Sequence, residues 1–269
     1  MVLLCLPGFL IRDTLAKIAP ALPPGVPVGS VVSSSGFFFA AQEILPKGTP
    51  LFGLQRVPYI SRVKEYGKNA SLLGYKSQMF FATDAMQPYE QENLRVRLEA
   101  LFETPTVLLE TWWDVTLTNS NPILHPARLY GLWHDWKPGT IYTKQALFYE
   151  DWDVFSAETL IALDEDFFRV ISHYPCTPGA VKPLLDYYES IDSETLAAKF
   201  RSIVAFKGIL APMLKVDGGF VPDLNNRYFT EDFPFGLQLI QGLGRKANVD
   251  ILAIDKVVTW YEADVIRAR

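Results

Sequence analysis

The sequence predicts an α/β fold over residues 1–114 followed by an all-α fold over residues 115–269. Before residue 114, short apolar runs rich in β-branched and aromatic residues alternate with turns and helical segments. After Thr118 almost no strand pattern remains, and long segments with helical periodicity take its place. A chain of 269 residues is long enough for two ordinary domains, each with its own core.

The N-terminal segment superficially resembles a signal peptide, since residues 1–11 are largely apolar and small residues follow. Its details favour a folded element instead, because a Pro-Gly pair interrupts the apolar run and Arg12, Asp13 and Lys17 lie where the segment should stay apolar. We predict a buried strand, a Pro-Gly turn and an amphipathic helix, over residues 2–6, 7–8 and about 13–21.

The remaining elements of the first part follow from their apolar runs. The sequence predicts strands over residues 27–33, 50–55, 70–75 and 107–110 and an apolar contact surface over residues 37–44. Continuous apolar runs of this kind are typical of strands covered on both faces, as in a parallel sheet. Residues 90–102 change to a helical period that aligns Leu94, Leu98 and Leu101 on one stripe.

The second part is predicted to be helical. Residues 157–171 place apolar side chains on one face and charged ones on the other, after a plausible helix start at Ser156. Three further segments repeat the pattern, at residues 180–188, 193–206 and 247–261.

Composition excludes several classes of function. Twenty-five basic against 30 acidic residues give a net charge of −5 without a dense basic run, so nucleic acid is not expected as a partner. No run of apolar residues is long enough to span a membrane. Two cysteines provide no disulfide framework, which indicates a reducing, cytoplasmic location.

Two apparent ligand motifs are set aside. His173 and Cys176 offer two metal ligands without a second pair, so no metal site is expected. Residues 242–247 (Gly-Leu-Gly-Arg-Lys-Ala) fit a dinucleotide fingerprint, but a helix precedes them and no strand follows. We interpret them as a glycine turn at the end of a helix.

Two other motifs supply side chains suited to chemistry. They are residues 119–126 (Asn-Ser-Asn-Pro-Ile-Leu-His-Pro) and residues 227–236 (Arg-Tyr-Phe-Thr-Glu-Asp-Phe-Pro-Phe-Gly). Together they offer an imidazole, a guanidinium and a carboxylate, a set able to hold a carboxylic acid and move a proton beside it. We interpret them as two halves of one active site, with His125 as acid/base in a cleft.

Each motif also fits a plainer interpretation. The first fits a capped helix start with a surface His125, in which Asn119 and Asn121 are ordinary cap and turn residues. The second fits a local surface salt bridge between Arg227 and the acidic residues that follow it. Pattern alone leaves both alternatives open.

Residues 118–131 and 227–237 closely resemble the helical domain of the octopine/nopaline (opine) dehydrogenases. The segment 52–62, with Tyr66-Gly67 and residues 73–76, is similar to the second half of the nucleotide-binding domain of that family. Residues 4–9 and 33–36 resemble the strand ends that run past the nicotinamide. The similarity covers nearly the whole chain, and the two motifs are its specific part.

The resemblance implies the distal part of a Rossmann-type parallel sheet, followed by a helical domain like that of 6-phosphogluconate dehydrogenase. It implies an oxidoreductase that condenses an amino acid with a 2-oxo acid such as pyruvate and reduces the imine with NADH or NADPH. His125 would be the acid/base, Arg227 a clamp for a substrate carboxylate, and Asp232 the partner of His125 or of the substrate amino group. The remaining implied contacts are Asn121 to substrate and Leu6, Pro7, Gly36 and Arg62 to the cofactor.

The sequence departs from the family in lacking the N-terminal strand, Gly-rich turn and helix that hold a pyrophosphate. Three alternatives follow: an opine dehydrogenase whose N-terminal part lies outside this chain, a non-catalytic protein that binds small acids, or a structural subunit. A homodimer or an association with a separate N-terminal part is open at this point.

Overall fold

The computed structural model describes the backbone of residues 1–269 and all side chains except those of Ile60, Arg62 and Leu73. The chain divides into two compact units. The first, here called the sheet unit, comprises residues 1–117 and 175–177. The second, the helical unit, comprises residues 118–174 and 178–269.

Seven strands belong to the sheet unit. In chain order they are β1 (Val2–Leu4), β2 (Val28–Ser30), β3 (Leu51–Leu54), β4 (Tyr59–Glu65), β5 (Asn69–Tyr75), β6 (Met79–Asp84) and β7 (Thr106–Leu108). The main sheet has the order β1-β2-β3-β6-β7. Strands β1, β2 and β3 are parallel to one another, and β7 is parallel to β6, but β6 is antiparallel to β3.

The sheet is mainly parallel, as predicted, and the antiparallel pairing of β6 with β3 is a departure from that pattern. Strands β4 and β5 form a separate two-stranded hairpin between β3 and β6, so the chain returns directly beside β3 without a helical crossover. The predicted strand at residues 70–75 therefore exists as β5, but it is not covered on both faces. Val63, Leu72 and Tyr75 in this hairpin are exposed. The hairpin thus has the apolar sequence pattern that is typical of a buried strand, although these side chains are exposed.

Four α-helices cover the main sheet. They are α1 (Gly8–Ile18), continued by a 3₁₀ turn at Ala19–Ala21, α2 (Phe37–Ile44), α3 (Pro88–Phe102) and α4 (Trp113–Thr116). Helix α1 begins five residues before the predicted start, because Pro7 takes an extended conformation at its N-cap and the charged residues lie on its exposed face. The apolar surface predicted at residues 37–44 is helix α2.

Two apolar clusters form the core of the sheet unit. Neighbouring residues of one strand belong to different clusters, Leu51 to the first and Phe52 to the second, as expected for side chains that alternate between the two faces of a sheet. The first cluster contains buried residues of α1 and α2, and the second contains Leu94 and Leu98 of α3. Leu101, predicted to share that stripe, is exposed.

Seven α-helices and one β-hairpin make up most of the helical unit. The helices are α5 (Asn121–Trp133), α6 (Val154–Ile171), α7 (Leu184–Tyr187), α8 (Ser193–Ser202), α9 (Arg227–Thr230), α10 (Gln238–Lys246) and α11 (Leu252–Trp260). A 3₁₀ turn follows at Val204–Phe206, and π-helical segments occupy Phe233–Leu237 and Tyr261–Ile266. The hairpin pairs β8 (Met213–Val216) with β9 (Gly219–Pro222).

Four predictions for this unit are corrected by the structure. The β8–β9 hairpin was not expected after Thr118. The helix predicted over residues 180–188 shrinks to α7, because Pro183 sets its start. The helix predicted from residue 247 begins at Leu252, since Asn248 adopts a left-handed conformation with φ 55°. Residues 242–246 lie inside α10, so their glycines belong to a helix body rather than to a terminal turn.

Among the residues that the structure describes, no helix is both long and apolar enough to cross a membrane.

Candidate active site

His125 lies in the second turn of α5. Pro122 occupies the first turn of that helix, where its fixed φ is compatible with helix initiation and no hydrogen bond is lost. The side chain of His125 is only 8% exposed. The alternative of a surface histidine at a helix start is therefore wrong.

Both ring nitrogens of His125 have partners. Nδ1 lies 2.8 Å from Oδ2 of Asp232, a residue 107 positions further along the chain. Nε2 lies 3.2 Å from the hydroxyl of Tyr149. Because an ionised carboxylate only accepts hydrogen bonds, Nδ1 carries the ring proton in the neutral imidazole, and Nε2 then accepts from the tyrosine hydroxyl. The ring is thus held in one tautomer from both ends.

Aromatic rings enclose the imidazole. The ring of Tyr228 lies 4.3 Å from it in a tilted stack, and Phe148 meets it edge-on at 5.6 Å. Contacts of this kind exclude water and strengthen the hydrogen bond to Asp232.

Close packing brings the two motifs together. Asp232 immediately precedes the π-helical segment Phe233–Leu237, and π-helical turns are frequent at functional sites. Gly236 in that segment lies so close to Pro122 of α5 that an added Cβ would lie 2.9 Å from its Cβ and 3.0 Å from its Cα. Only glycine allows this approach, which places Asp232 beside His125.

Arg227 is the first residue of α9 and is exposed to solvent. Within the described part of the chain, no hydrogen bond or ion pair reaches its guanidinium, while Asp232 bonds His125 instead. The local salt bridge between Arg227 and Asp232 is therefore not formed. Tyr228, the next residue, stacks on His125, so the free guanidinium belongs to the segment that lines the imidazole.

The two asparagines of the first motif differ in their surroundings. Asn119 is buried, and its Nδ2 donates to Oδ1 of Asp164 at 2.8 Å and to the carbonyl of Lys182 at 2.7 Å. Asn119 thus joins two distant segments and is not a simple helix cap. Asn121 is exposed at the start of α5, and its contact to substrate stays a prediction.

The predicted cofactor contacts lie in the sheet unit. Leu6 and Pro7 connect β1 to α1, and Gly36 precedes α2 in a left-handed conformation with φ 80°. Since β1 and β2 are parallel neighbours, both connections leave the same edge of the sheet, where dinucleotides bind in open α/β folds. The contact of Leu6, Pro7 and Gly36 with the cofactor stays a prediction. The backbone of Arg62 lies in β4, and its side chain is outside the described residues.

Sequence reasoning did not find two residues that shape the site. Tyr149 lies in a turn before α6 and gives no pattern in the sequence, because its role depends on a contact across 24 residues. Arg128 is fully buried on the same helix as His125. Its position within an apolar helix start, between Ala127 and Leu129, is a signal that could have identified it.

Burial changes the ionisation of both residues. It raises the pKa of the Tyr149 phenol, and the nearby phenols of Tyr228 and Tyr188 and the Asp232 carboxylate add to this effect. Burial lowers the pKa of the Arg128 guanidinium to about 10. At neutral pH the phenol therefore keeps its proton and the guanidinium keeps its charge.

The cysteine of the apparent metal motif is not prepared for metal binding. Burial, and then the charge of Asp114, raise the pKa of the Cys176 thiol to about 12, so the thiol stays protonated near neutrality. No group of three or more potential metal ligands was found among the side chains that the structure describes.

The family profile described as NAD/NADP octopine/nopaline dehydrogenase, alpha-helical domain, matches residues 108–264, more than half of the chain. The chain belongs to the octopine/nopaline dehydrogenase family. The match contains both motifs of the site. It confirms the family inferred from them and the dependence of that family on NAD or NADP.

Individual members of the octopine/nopaline dehydrogenase family resemble almost the whole chain. The octopine dehydrogenase of Mizuhopecten yessoensis is 28% identical, over 98% of this chain and 70% of that protein. The tauropine dehydrogenase of Arabella iricolor is also 28% identical, over 97% of this chain and 70% of that protein.

A solved octopine dehydrogenase, determined with NADH and L-arginine, superimposes with a TM-score of 0.82 at 26% identity, over 97% of this chain and 68% of that chain. This likeness confirms the predicted fold class, a Rossmann-type sheet followed by a helical domain. The chain is therefore an opine dehydrogenase-type oxidoreductase by family and by fold.

Proposed function

We propose that this chain catalyses the reductive condensation of an amino acid with a 2-oxo acid such as pyruvate, using NADH or NADPH. The observation that carries the proposal is the pair of the buried His125 and the partly buried Asp232, 2.8 Å apart, next to the segment that begins with Arg227. Among the described residues, the Arg227 guanidinium has no hydrogen-bond or ion-pair partner. An acid/base pair beside an unpaired cation is the set needed to hold a carboxylate and protonate a carbonyl next to it.

His125 is assigned to proton transfer. Asp232 accepts from Nδ1, so a proton gained at Nε2 creates an imidazolium stabilised by the adjacent carboxylate. That proton passes from Nε2 to the carbonyl oxygen of the 2-oxo acid as the amine adds to the carbonyl carbon. The added nitrogen then returns a proton to Nε2, which passes it to the new hydroxyl, so that the C–O bond breaks to release water and an iminium remains. Asp232 orients the ring throughout.

Arg227 is assigned to the carboxylate of the 2-oxo acid. Its planar guanidinium binds a carboxylate through two parallel hydrogen bonds, which fixes the position of the neighbouring carbonyl. Because no described residue engages the guanidinium, an incoming carboxylate does not have to displace an internal partner.

Bound NADH or NADPH supplies the hydride for the reduction step. In the sheet unit, Leu6, Pro7 and Gly36 would hold the nicotinamide end of the cofactor, at the carboxyl edge of β1 and β2. Arg62 is retained as a proposed cofactor contact on the resemblance alone.

The test begins with a fluorescence titration of the purified chain with NADH and with NADPH. Cofactor oxidation is then followed with pyruvate and a panel of amino acids, and the condensed secondary amine is identified by mass spectrometry. Oxidation that requires both substrates supports the proposal. Oxidation with pyruvate alone would indicate simple reduction of a 2-oxo acid and contradict it.

An Arg227→Met variant completes the test. We expect its affinity for pyruvate to fall by about tenfold or more, since a charge-assisted pair is lost. Lys207→Met, at another exposed cation of the same unit, is the matched control. Pyruvate binding that depends on Arg227 in a folded chain that binds neither cofactor would assign the chain to small-acid binding and overturn the enzymatic proposal.

A further inference from the structure

The hydroxyl of Tyr149 has one hydrogen-bond partner among the described residues, and it is Nε2 of His125, 3.2 Å away. Nδ1 is committed to Asp232, so Nε2 is the ring nitrogen that must exchange a proton with substrate. The side chain that touches this nitrogen therefore controls its availability.

We propose that Tyr149, held in place by Arg128, is a positioning residue that keeps Nε2 of His125 unprotonated at rest and retains contact when the ring gains a proton. The proposal rests on the assigned role of His125 in proton transfer. It adds two residues, one on α5 and one in the turn before α6, to the motifs already described.

Packing immobilises the Tyr149 ring. Tyr149 is 7% exposed, and its ring stacks on Phe206 at 4.0 Å and on Trp152 at 6.0 Å. Phe148 meets the ring edge-on at 4.9 Å. A ring packed in this way cannot move its hydroxyl away from Nε2 without displacing its neighbours.

Arg128 holds the backbone on both sides of Tyr149. Its guanidinium donates to the carbonyls of Phe148 at 2.7 Å, Leu147 at 3.3 Å and Asp151 at 2.8 Å. It also donates to the Ser156 hydroxyl at 3.1 Å. Because Arg128 lies three residues after His125 on α5, one helix carries both the imidazole and the group that fixes the partner of its Nε2.

A phenol can serve both protonation states of the imidazole. At rest its O–H donates to Nε2, and after protonation Nε2–H donates to a lone pair of the same oxygen. The raised pKa of Tyr149 keeps the phenol neutral throughout. The hydrogen bond therefore persists while its direction reverses, and the phenol proton becomes free to point to an acceptor on the substrate.

Nitrogen NMR of ¹⁵N-histidine-labelled protein tests the proposal without any cofactor, since the chain has only three histidines. In the wild type we expect His125 to show a protonated Nδ1 and a hydrogen-bonded, unprotonated Nε2. In Tyr149→Phe, the Nε2 signal should move toward that of a free, unprotonated imidazole nitrogen while Nδ1 stays protonated. His125 signals that coincide in the two proteins would overturn the proposal.

Tyr174→Phe is the matched control, because its hydroxyl donates to the carbonyl of Leu243 and not to His125. It should leave the His125 signals unchanged. If Tyr149→Phe does not fold, the wild type decides the question by itself. A slowly exchanging Tyr149 hydroxyl proton with an Overhauser contact to the His125 ring supports the pairing, and a neutral ring protonated at Nε2 overturns it.

Turnover separates this inference from the proposed function. Tyr149→Phe should lower kcat by about tenfold, with KM for both substrates within about twofold, as for the loss of one buried hydrogen bond. A shifted Nε2 signal with unchanged kcat would refute the positioning role. Unchanged turnover in a His125 variant would instead refute the proposed function, and the NMR result would still stand.

Discussion

The first motif supplies two side chains that bond distant aspartates, the buried Asp164 and the partly buried Asp232, and the two pairs differ in chemistry. Asn119 donates to Asp164 at 2.8 Å, and His125 bonds Asp232 at the same distance. Both pairs join segments far apart in the chain, by 45 and by 107 residues. Geometry alone therefore does not distinguish a structural pair from a chemical one.

The difference lies in what each partner can do with a proton. The amide of Asn119 does not titrate, and Asp164 also accepts from the backbone N–H of Leu184 at 2.7 Å, so its carboxylate is satisfied by neutral groups. The imidazole of His125 can carry or release a proton, and it offers a second nitrogen. One motif thus contributes a structural link and the proposed acid/base, six residues apart.

Replacing the imidazole gives the largest expected effect. His125→Gln should lower turnover by about 10²- to 10⁴-fold, because it removes the proton-transferring group, while the affinity for NADH stays the same. His134→Gln, at the exposed C-cap of the same helix, is the matched control and should retain turnover. Wild-type turnover in His125→Gln would show that the His125–Asp232 pair has no more chemical role than the Asn119–Asp164 pair.

Replacing the Asp232 carboxylate of the His125–Asp232 pair gives the second largest expected effect on turnover. Asp232→Asn removes the charge that stabilises the imidazolium and allows the opposite tautomer, so turnover should fall by about 10²-fold. Asp264→Asn, an exposed aspartate paired with Lys137, serves as the control. Steady-state assays over a range of pH would contradict the assignment if the two variants behaved alike.

A change in the Asn119–Asp164 pair should lower the free energy of unfolding and leave turnover unchanged. Asn119→Ala removes two hydrogen bonds and leaves the Asp164 carboxylate short of a donor, which should cost about 2–3 kcal/mol in the free energy of unfolding. The exposed Asn121→Ala should change it by less than about 0.5 kcal/mol. Urea denaturation measures both values. Equal losses would contradict the contrast drawn between the two asparagines.

A substitution at Gly236 tests the close contact with Pro122 that joins the two motifs. An added Cβ would overlap Pro122, so Gly236→Ala should destabilise the protein by about 1–2 kcal/mol and reduce turnover by displacing Asp232. Gly242→Ala is the opposite control, because its Cβ would meet nothing within 4 Å in the interior of α10. That substitution should stabilise by up to about 1 kcal/mol.

The smallest effect concerns pH. Burial raises the pKa of Asp164 above its ordinary value of 3.8, against the hydrogen bonds from Leu184 and Asn119, which lower it. The Asp164 carboxyl therefore binds its proton more tightly in the folded state than in the unfolded state. The contribution of this proton to the free energy of unfolding is fully present below pH 3.8 and is lost as the pH rises through the raised pKa. The free energy of unfolding of the wild type, measured relative to that of Asp164→Asn, should therefore fall as the pH rises from 4 to 7. A rise would contradict the direction.

Sequence patterns located most elements of the sheet unit, because a buried strand or helix has a recognisable pattern of apolar residues along its own sequence. Strands β1, β2, β3 and β7 and helix α3 lie where apolar periodicity predicted them. Strands β4 and β6 and the β8–β9 hairpin were missed. Pairing partners, unlike burial, leave no local signal, and the exposed β4–β5 hairpin carries the apolar residues typical of a covered strand.

For the site, residue types were predictable and contacts were not. His125, Arg227 and Asp232 were named from their chemistry and from a family resemblance. The structure brings His125 and Asp232 together, and it shows no ion-pair partner for Arg227 among the side chains that it describes. Tyr149 could not be predicted, because its position depends on the turn that Arg128 holds, and that turn has no distinctive sequence.

Arg128 binds the turn that contains Tyr149 through hydrogen bonds to main-chain carbonyls. Every residue type provides such a carbonyl. The side chain at Leu147 can therefore be exchanged while the guanidinium keeps its hydrogen bonds to the turn, whereas the Asp151 carboxylate also accepts from the backbone N–H of Leu147 at 2.8 Å. At position 147 the shape of the turn is thus independent of the side chain. This makes position 147 suitable for a designed library that varies the turn while the orientation of His125 is preserved.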